Sequence, residues 1–302
     1  MFDVVVVGGG PAGLTAAVYA LRRGMKTVVV TPEIGGRVML AHHVENYPGF
    51  ISITGPDLVK KMEEQIRKNH PDCDFVMDSV YDVKKVKGFF EILLKSRKKI
   101  SGKSVIIATG TEDKSLKIKG EREFLGKGVT YCSTCDSPLF RNKVVAVVGG
   151  GNSALVGVQE VSPYASKVYL IHRRSEFRGD VVEVERVKKL RNAEFVLDEE
   201  VMEVYGDTVV KGLKLKSGKN LKVDGLFIEI GVTPLTQFIK KLGVKVTSQG
   251  FVEVNDKQET SVDGVFAAGD ITTKNANLLQ IVHATSEGAI AGFFASTFVN
   301  DL

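Results

Sequence analysis

Cysteine is scarce in this 302-residue chain, which has three, at positions 73, 132 and 135. So few exclude a disulfide framework and leave a single Cys-x-x-Cys spacing. In a reducing compartment a lone pair of this kind is more often catalytic or metal-binding than structural. No apolar run reaches the roughly 20 residues of a membrane span. The first strand-like run, Val4 to Val7, has no basic leader or cleavage site before it. A cytoplasmic protein that does not enter a membrane is therefore expected. Basic residues outnumber acidic ones only modestly, 41 against 36, for a net charge of +5. Short basic stretches such as Arg97-Lys98-Lys99 lack interleaved aromatics, so they read as solvated surface and not as a nucleic-acid site.

An internal repeat is present. Val4-Val5-Val6-Val7 runs into Gly8-Gly9-Gly10-Pro11-Ala12-Gly13, and Val144-Val145-Ala146-Val147-Val148 runs into Gly149-Gly150-Gly151-Asn152-Ser153-Ala154. Each copy is a buried-strand run, a G-x-G-x-x-G/A turn and a helical stretch. The spacing predicts helices over Ala12–Arg23 and from Ala154 to about Tyr164. Following strands are expected at Lys26–Val30 and Lys167–Ile171. In such a turn the first glycine permits the tight bend. The second lets the backbone approach a pyrophosphate, and the third packs helix on sheet. Ala108-Thr109-Gly110 closes the first copy and Gly231 the second, while a later strand leads into Gly269-Asp270. No flexible linker divides the copies. The expected fold class is α/β, with two Rossmann-like FAD/NAD(P)-binding domains of the three-layer ββα type, the second inserted in the first. The expected boundaries are 1–112, 113–238 and 239–302. Alternation at Val83, Val86, Phe90, Ile92 and Leu94 predicts added β-structure on the first domain.

Charge separates the two nucleotide sites. The first copy ends its second strand at Thr31-Pro32-Glu33, and a carboxylate there accepts hydrogen bonds from a free adenosine ribose. The second offers His172-Arg173-Arg174 and Arg178. Guanidinium groups suit a 2′-phosphate, which a carboxylate would repel. FAD is thus assigned to the first domain and NADPH to the second, with NADH as the alternative that would leave three arginines idle.

Tyr131-Cys132-Ser133-Thr134-Cys135-Asp136 lies just before the second fingerprint. Two sulfurs at this spacing can bridge, and the motif lowers the attacking thiol's pKa. Reducing a disulfide also needs protons, which Asp136 can shuttle. A closed zinc site needs four ligands; Cys73 and five histidines provide no second paired motif, so no metal is expected. Cys73 receives no role. His42, His43 and His283 are read as structural or flavin-edge residues and not as bases.

Together these segments, with Glu45-Asn46-Tyr47-Pro48-Gly49, resemble the low-molecular-weight thioredoxin reductase family along essentially the whole chain. The resemblance implies electron flow from NADPH through FAD and the Cys132–Cys135 disulfide to a thioredoxin- or glutaredoxin-like protein. It implies that Cys135 lies against the flavin, Cys132 attacks the partner and Asp136 serves as acid and base. It places Gly35, Gly36, Arg37 and Asn46 beside the flavin, with Asp270, Gln280 and Ile281 at its ribityl chain and ring edge. It further implies a homodimer and a rotating NADPH domain. The chain departs from the common pattern at Arg37, at Ser137-Pro138, at Leu279-Gln280-Ile281, and at Val156-Gly157, where an acidic pair is usual. Alternatives are a related flavoprotein disulfide reductase, an oxidase fed by ferredoxin or NADH, and a flavin-binding protein without turnover.

Overall fold

The computed structural model describes residues 1–302 apart from 42–43 and 274–278 and the side chain of residue 240. His42 and His43 therefore lie outside the described residues. The chain divides into two units, Met1–Glu112 with Thr233–Leu302, and Asp113–Val232.

The first unit begins with strand β1 (Phe2–Gly9), helix α1 (Pro11–Arg22) and strand β2 (Thr27–Ile34). Both strands outrun the expected bounds because the parallel ladder continues from Val4↔Thr27 to Gly9↔Ile34. Helix α1 starts on Pro11, whose fixed φ suits a first turn. Gly24 (φ +78°) follows its end. Helix α2 (Gly55–Asn69) is capped by Thr54, whose hydroxyl accepts the Asp57 N–H. Strand β3 (Asp74–Met77) pairs with β2. Strands β4 (Val80–Val86), β5 (Phe89–Leu94) and β6 (Lys99–Ile107) form the added antiparallel structure, and β6 then pairs in parallel with β1.

The chain leaves this unit through β7 (Thr111–Asp113). In the second unit come β8 (Val129–Thr130), the short helix α3 (Ser133–Asp136), β9 (Val144–Val148), α4 (Asn152–Val161), β10 (Lys167–Ile171) and α5 (Val181–Lys188). Then follow β11 (Ala193–Val196), β12 (Val201–Gly206), β13 (Val210–Leu215), β14 (Asn220–Leu221) and β15 (Gly225–Ile228). The parallel order β11-β10-β9-β15-β8 puts the glycine turn after β9 at the carboxyl edge, beside the end of β15. Val145, Val147, Leu170 and Phe227 pack under Leu155 and Val158 of α4. On the opposite face Ala146, Val148, Leu226 and Ile228 meet Val204, Leu213 and Leu221 of the β12–β14 sheet. Strict alternation along each strand thus builds helix, sheet and sheet in three layers.

The return strand β16 (Val232–Pro234) pairs with β7. The return crossing falls at Val232/Thr233 and not after 238, because Phe238 and Ile239 pack into the first unit's core. Strand β17 (Val265–Ala267) adds to β6, and helix α6 (Ile281–Asn300) closes the chain. In this unit Val4, Val6, Ile106 and Phe266 face α1 and α6. Val5, Val7, Val105 and Ile107 face Phe90, Ile92 and Leu94 of the hairpin. Truncating a fully buried Leu or Ile in such a core costs about 2–5 kcal/mol.

Candidate active site

In the first unit the glycine turn is held by close backbone approach. Gly8 has φ +118°, and a Cβ there would lie 2.2 Å from the Ala108 carbonyl oxygen. A Cβ on Gly13 would lie 1.9 Å from the Gly8 oxygen. Gly10 is different: among the described residues only the Gly35 oxygen comes near its missing Cβ, at 3.9 Å. Gly10 is also the N-cap of α1 and offers no side chain to the helix's first N–H groups. An uncapped helix start behind an open glycine is what a pyrophosphate satisfies.

Sequence-distant residues meet in this unit. Gly35 N–H donates to the Gly9 carbonyl at 2.8 Å. Arg37 Nη1 donates to Thr111 Oγ1 at 3.2 Å and pairs with Asp270 Oδ2 at 3.3 Å. Asn46 Nδ2 donates to Gln280 Oε1 at 2.9 Å. The Thr109 hydroxyl donates to the Leu235 carbonyl, and Gly110 follows with φ +65°. Ile281 opens α6 and packs with the Val38 cluster. Glu33 is exposed at the end of β2, while its backbone oxygen accepts the Thr31 hydroxyl at 2.5 Å.

Reading the sequence missed Glu287. This buried carboxylate accepts the Gly269 N–H at 2.7 Å and the Thr272 hydroxyl at 3.0 Å, fixing the turn that presents Asp270. Burial pushes both the Glu287 and Asp270 carboxyls up, against the Gly269 and Thr272 hydrogen bonds at the first and the Arg37 guanidinium at the second. A lone acid within the apolar stretch Ile281–Asn300 was the available signal. His283 Nδ1 is buried without a partner among the described residues. An open glycine, an uncapped helix start and an unmet polar atom fit FAD at this unit.

The second unit repeats the glycine device. A Cβ on Gly149 would strike the Glu229 oxygen at 2.3 Å, whereas among the described residues nothing lies within 4 Å of one on Gly151. Gly151 caps α4 without a side chain. Asn152 Nδ2 donates to Asp180 at 2.9 Å, and Ser153 is exposed. Arg178 N–H donates to the Gly150 carbonyl at 2.7 Å, which ties the basic loop to the turn. Arg173, Arg174 and Arg178 are exposed, line an open cavity of about 430 Å³ and make no salt bridge among the described residues. Unpaired guanidiniums beside a glycine cradle suit the extra phosphate of NADPH. His172 is placed otherwise. It is buried, stacks on Phe177 and lies where a Gly150 Cβ would sit, so it braces the turn from beneath.

Cys132 and Cys135 form a disulfide at the start of α3, with Cys135 exposed and Cys132 half-buried. Asp136 accepts a hydrogen bond from the Thr130 hydroxyl, and its N–H donates to the Cys132 carbonyl at 3.2 Å. Ser133, between the cysteines, donates its N–H to Glu229 at 3.1 Å and its hydroxyl to Glu160 at 2.8 Å. Tyr131, next to Cys132, donates to Glu121, which also accepts from Ser115, Leu116 and Ile118. Burial opposes the Glu121 charge, but these four donors hold its carboxyl below the usual range. Burial, with the Glu121 hydrogen bond, in turn pushes the Tyr131 phenol up. Cys73 is buried and free, and burial pushes its thiol up to about 11, which leaves it unreactive. Among the described residues no acid, cysteine and histidine cluster has the form of a metal site, and no helix is long and apolar enough to cross a membrane.

Known proteins share this arrangement. The family described as pyridine nucleotide-disulphide oxidoreductase matches residues 2–288. Thioredoxin reductase of Bacillus subtilis (strain 168) is 37% identical over 310 residues, spanning all of this chain and 96% of the relative. The crystal structure of thioredoxin reductase from Streptococcus pyogenes MGAS5005 is 32% identical with a TM-score of 0.93, covering 100% of this chain and 99% of that one. That of T. acidophilum thioredoxin reductase is 38% identical with a TM-score of 0.66, covering 99% and 98%. With two glycine cradles, a basic loop on the second and a bonded Cys-x-x-Cys, the chain belongs to the low-molecular-weight thioredoxin reductases of the pyridine nucleotide-disulphide oxidoreductase family, enzymes of FAD and NADPH.

Proposed function

We propose that the enzyme reduces the disulfide of a thioredoxin- or glutaredoxin-like protein, works as a homodimer and resides in the cytoplasm. The bonded Cys132–Cys135 pair, in the same unit as an arginine-lined nucleotide cradle, carries the reading. Bound FAD supplies a two-electron carrier between the nicotinamide and the disulfide. In the first unit Gly8, Gly10, Pro11, Ala12 and Gly13 receive its pyrophosphate, Glu33 its ribose, and Asn46, Asp270, Gln280 and Ile281 its far end. In the second, Gly149, Gly151, Asn152 and Ser153 receive the NADPH pyrophosphate, while Arg173, Arg174 and Arg178 take the 2′-phosphate. Two electrons and two protons convert the disulfide to two thiols, with Asp136 beside the pair to move a proton. The Cys132 thiolate then attacks a partner sulfur, and Cys135 resolves the mixed disulfide. The crossings at 112/113 and 232/233 serve as the hinges of the NADPH unit.

Replacing Cys135 with Ser tests the reading. Thioredoxin reduction falls by at least ~1,000-fold while NADPH oxidation by an artificial acceptor continues. Anaerobic stopped-flow mixing should show two molecules of NADPH, four electrons, consumed per subunit in the wild type, and one molecule in the variant. Protein that NADPH does not reduce, or a variant that still reduces thioredoxin, sinks the proposal.

A further inference from the structure

We infer that Glu229 is a positioning residue for the redox pair: from just past β15 it fixes the backbone between the two cysteines, and its negative charge holds the reduced Cys132 thiol less acidic. The inference rests on the reading that Cys132 and Cys135 cycle between disulfide and dithiol.

The geometry comes from three elements of one unit. Glu229 is anchored by its own N–H, which donates to Val148 at 2.8 Å. Its Oε1 accepts the Ser133 N–H, and that peptide joins Ser133 directly to Cys132. From α4, Glu160 takes the Ser133 hydroxyl and, at 2.9 Å, the Thr134 hydroxyl. Two carboxylates therefore grip the residues that separate the sulfurs.

Gly157 makes this possible. A Cβ there would lie 3.1 Å from Ser133 Oγ and 3.3 Å from Glu229 Cγ. The glycine leaves room, and acids from just past β15 and from further along α4 reach Ser133. Burial pushes the Glu229 carboxyl up to about 7; its hydrogen bonds from Ser133 oppose this, and Glu160 and Asp113 add to the rise. Lys114, whose Nζ lies beside Gly231, is a cation near this end of the strand. A carboxylate one peptide from a sulfur disfavours the thiolate.

The test uses the full-length holoenzyme reduced with a phosphine, freed of reductant without oxygen and alkylated with iodoacetamide across pH. Mass spectrometry resolves Cys132 from Cys135 and Cys73. Glu229→Gln keeps an acceptor for Ser133 but removes the charge, so the Cys132 midpoint moves to lower pH by about half a unit or more. Glu229→Asp keeps the charge and stays close to the wild-type midpoint. Superimposable wild-type and Glu229→Gln profiles overturn the inference. Should Glu229→Gln not fold, the wild-type profile decides: it carries a shoulder near pH 7, where Glu229 changes charge. A profile with a single ionisation overturns the coupling. Because a phosphine replaces NADPH, failure here is distinct from failure of the proposed electron route.

Discussion

The two units use one device at their glycine turns and opposite devices around them. In both, the first glycine is pinned against a carbonyl, Ala108 for Gly8 and Glu229 for Gly149. In both, the third glycine of the run stands open at an uncapped helix start. Beyond that the first unit surrounds its cradle with fixed acids: Asp270 paired to Arg37, and Glu287 buried under Gly269. The second leaves three arginines exposed on a loop. In the proposed reading a shared backbone geometry receives the common pyrophosphate, and selectivity falls to side chains that the backbone merely presents. Three acids of the second unit, Glu121, Glu160 and Glu229, bond to residues of the Tyr131–Thr134 segment around the redox pair instead.

That division can be broken in four places. Gly8→Ala has the largest expected effect, because it combines a backbone clash with a left-handed φ. It should destabilise the protein by at least about 3 kcal/mol in denaturant titrations and reduce flavin retention. Gly151→Ala meets open space, so its stability should stay within about 0.5 kcal/mol of wild type while NADPH binding weakens. Equal stability losses at both positions would show that the two glycines are not divided between backbone and ligand.

Joint replacement of Arg173 and Arg174 by Ala should raise KM for NADPH by about 10- to 100-fold. KM for NADH should barely move. Parallel changes for both nucleotides would remove the phosphate assignment.

The smallest effect concerns pH. The carboxyl of Glu229 sits above its ordinary value of 4.5, at about 7. Its contribution to stability is therefore complete below pH 4.5 and is lost as pH rises through 7. Glu229→Gln should gain stability over wild type by about 1–3 kcal/mol at pH 8 and almost none at pH 4.5, measured by calorimetry. A gain independent of pH would show that burial does not oppose the charge.

Much of the fold was legible because parallel strands and glycine turns are local signals. Lys167–Ile171 was bounded from its apolar run and its neighbours. The start of β2 was legible too, but not its continuation to Ile34, since only the partner strand β1 extends it. Arg37, Asn46, Asp270 and Gln280 were each expected beside the flavin from resemblance, but the pairs Arg37–Asp270 and Asn46–Gln280 were not, because their meeting is a product of topology. Glu229, Glu287 and Glu121 carried no motif. Each is an acid in an apolar or loop setting, and its purpose appears only when distant N–H and O–H groups surround it.

By itself the sequence determined the two strand–turn–helix units, the arginine loop, and a cysteine pair spaced to bridge, because these depend on neighbours within a few residues along the chain. The tertiary structure alone decided which carboxylates stay buried, that His172 braces a turn instead of facing solvent, and that Glu229 reaches the cysteines through the space left at Gly157. Burial, close approach and hydrogen bonding between residues far apart in the chain exist only once the strands have been laid side by side.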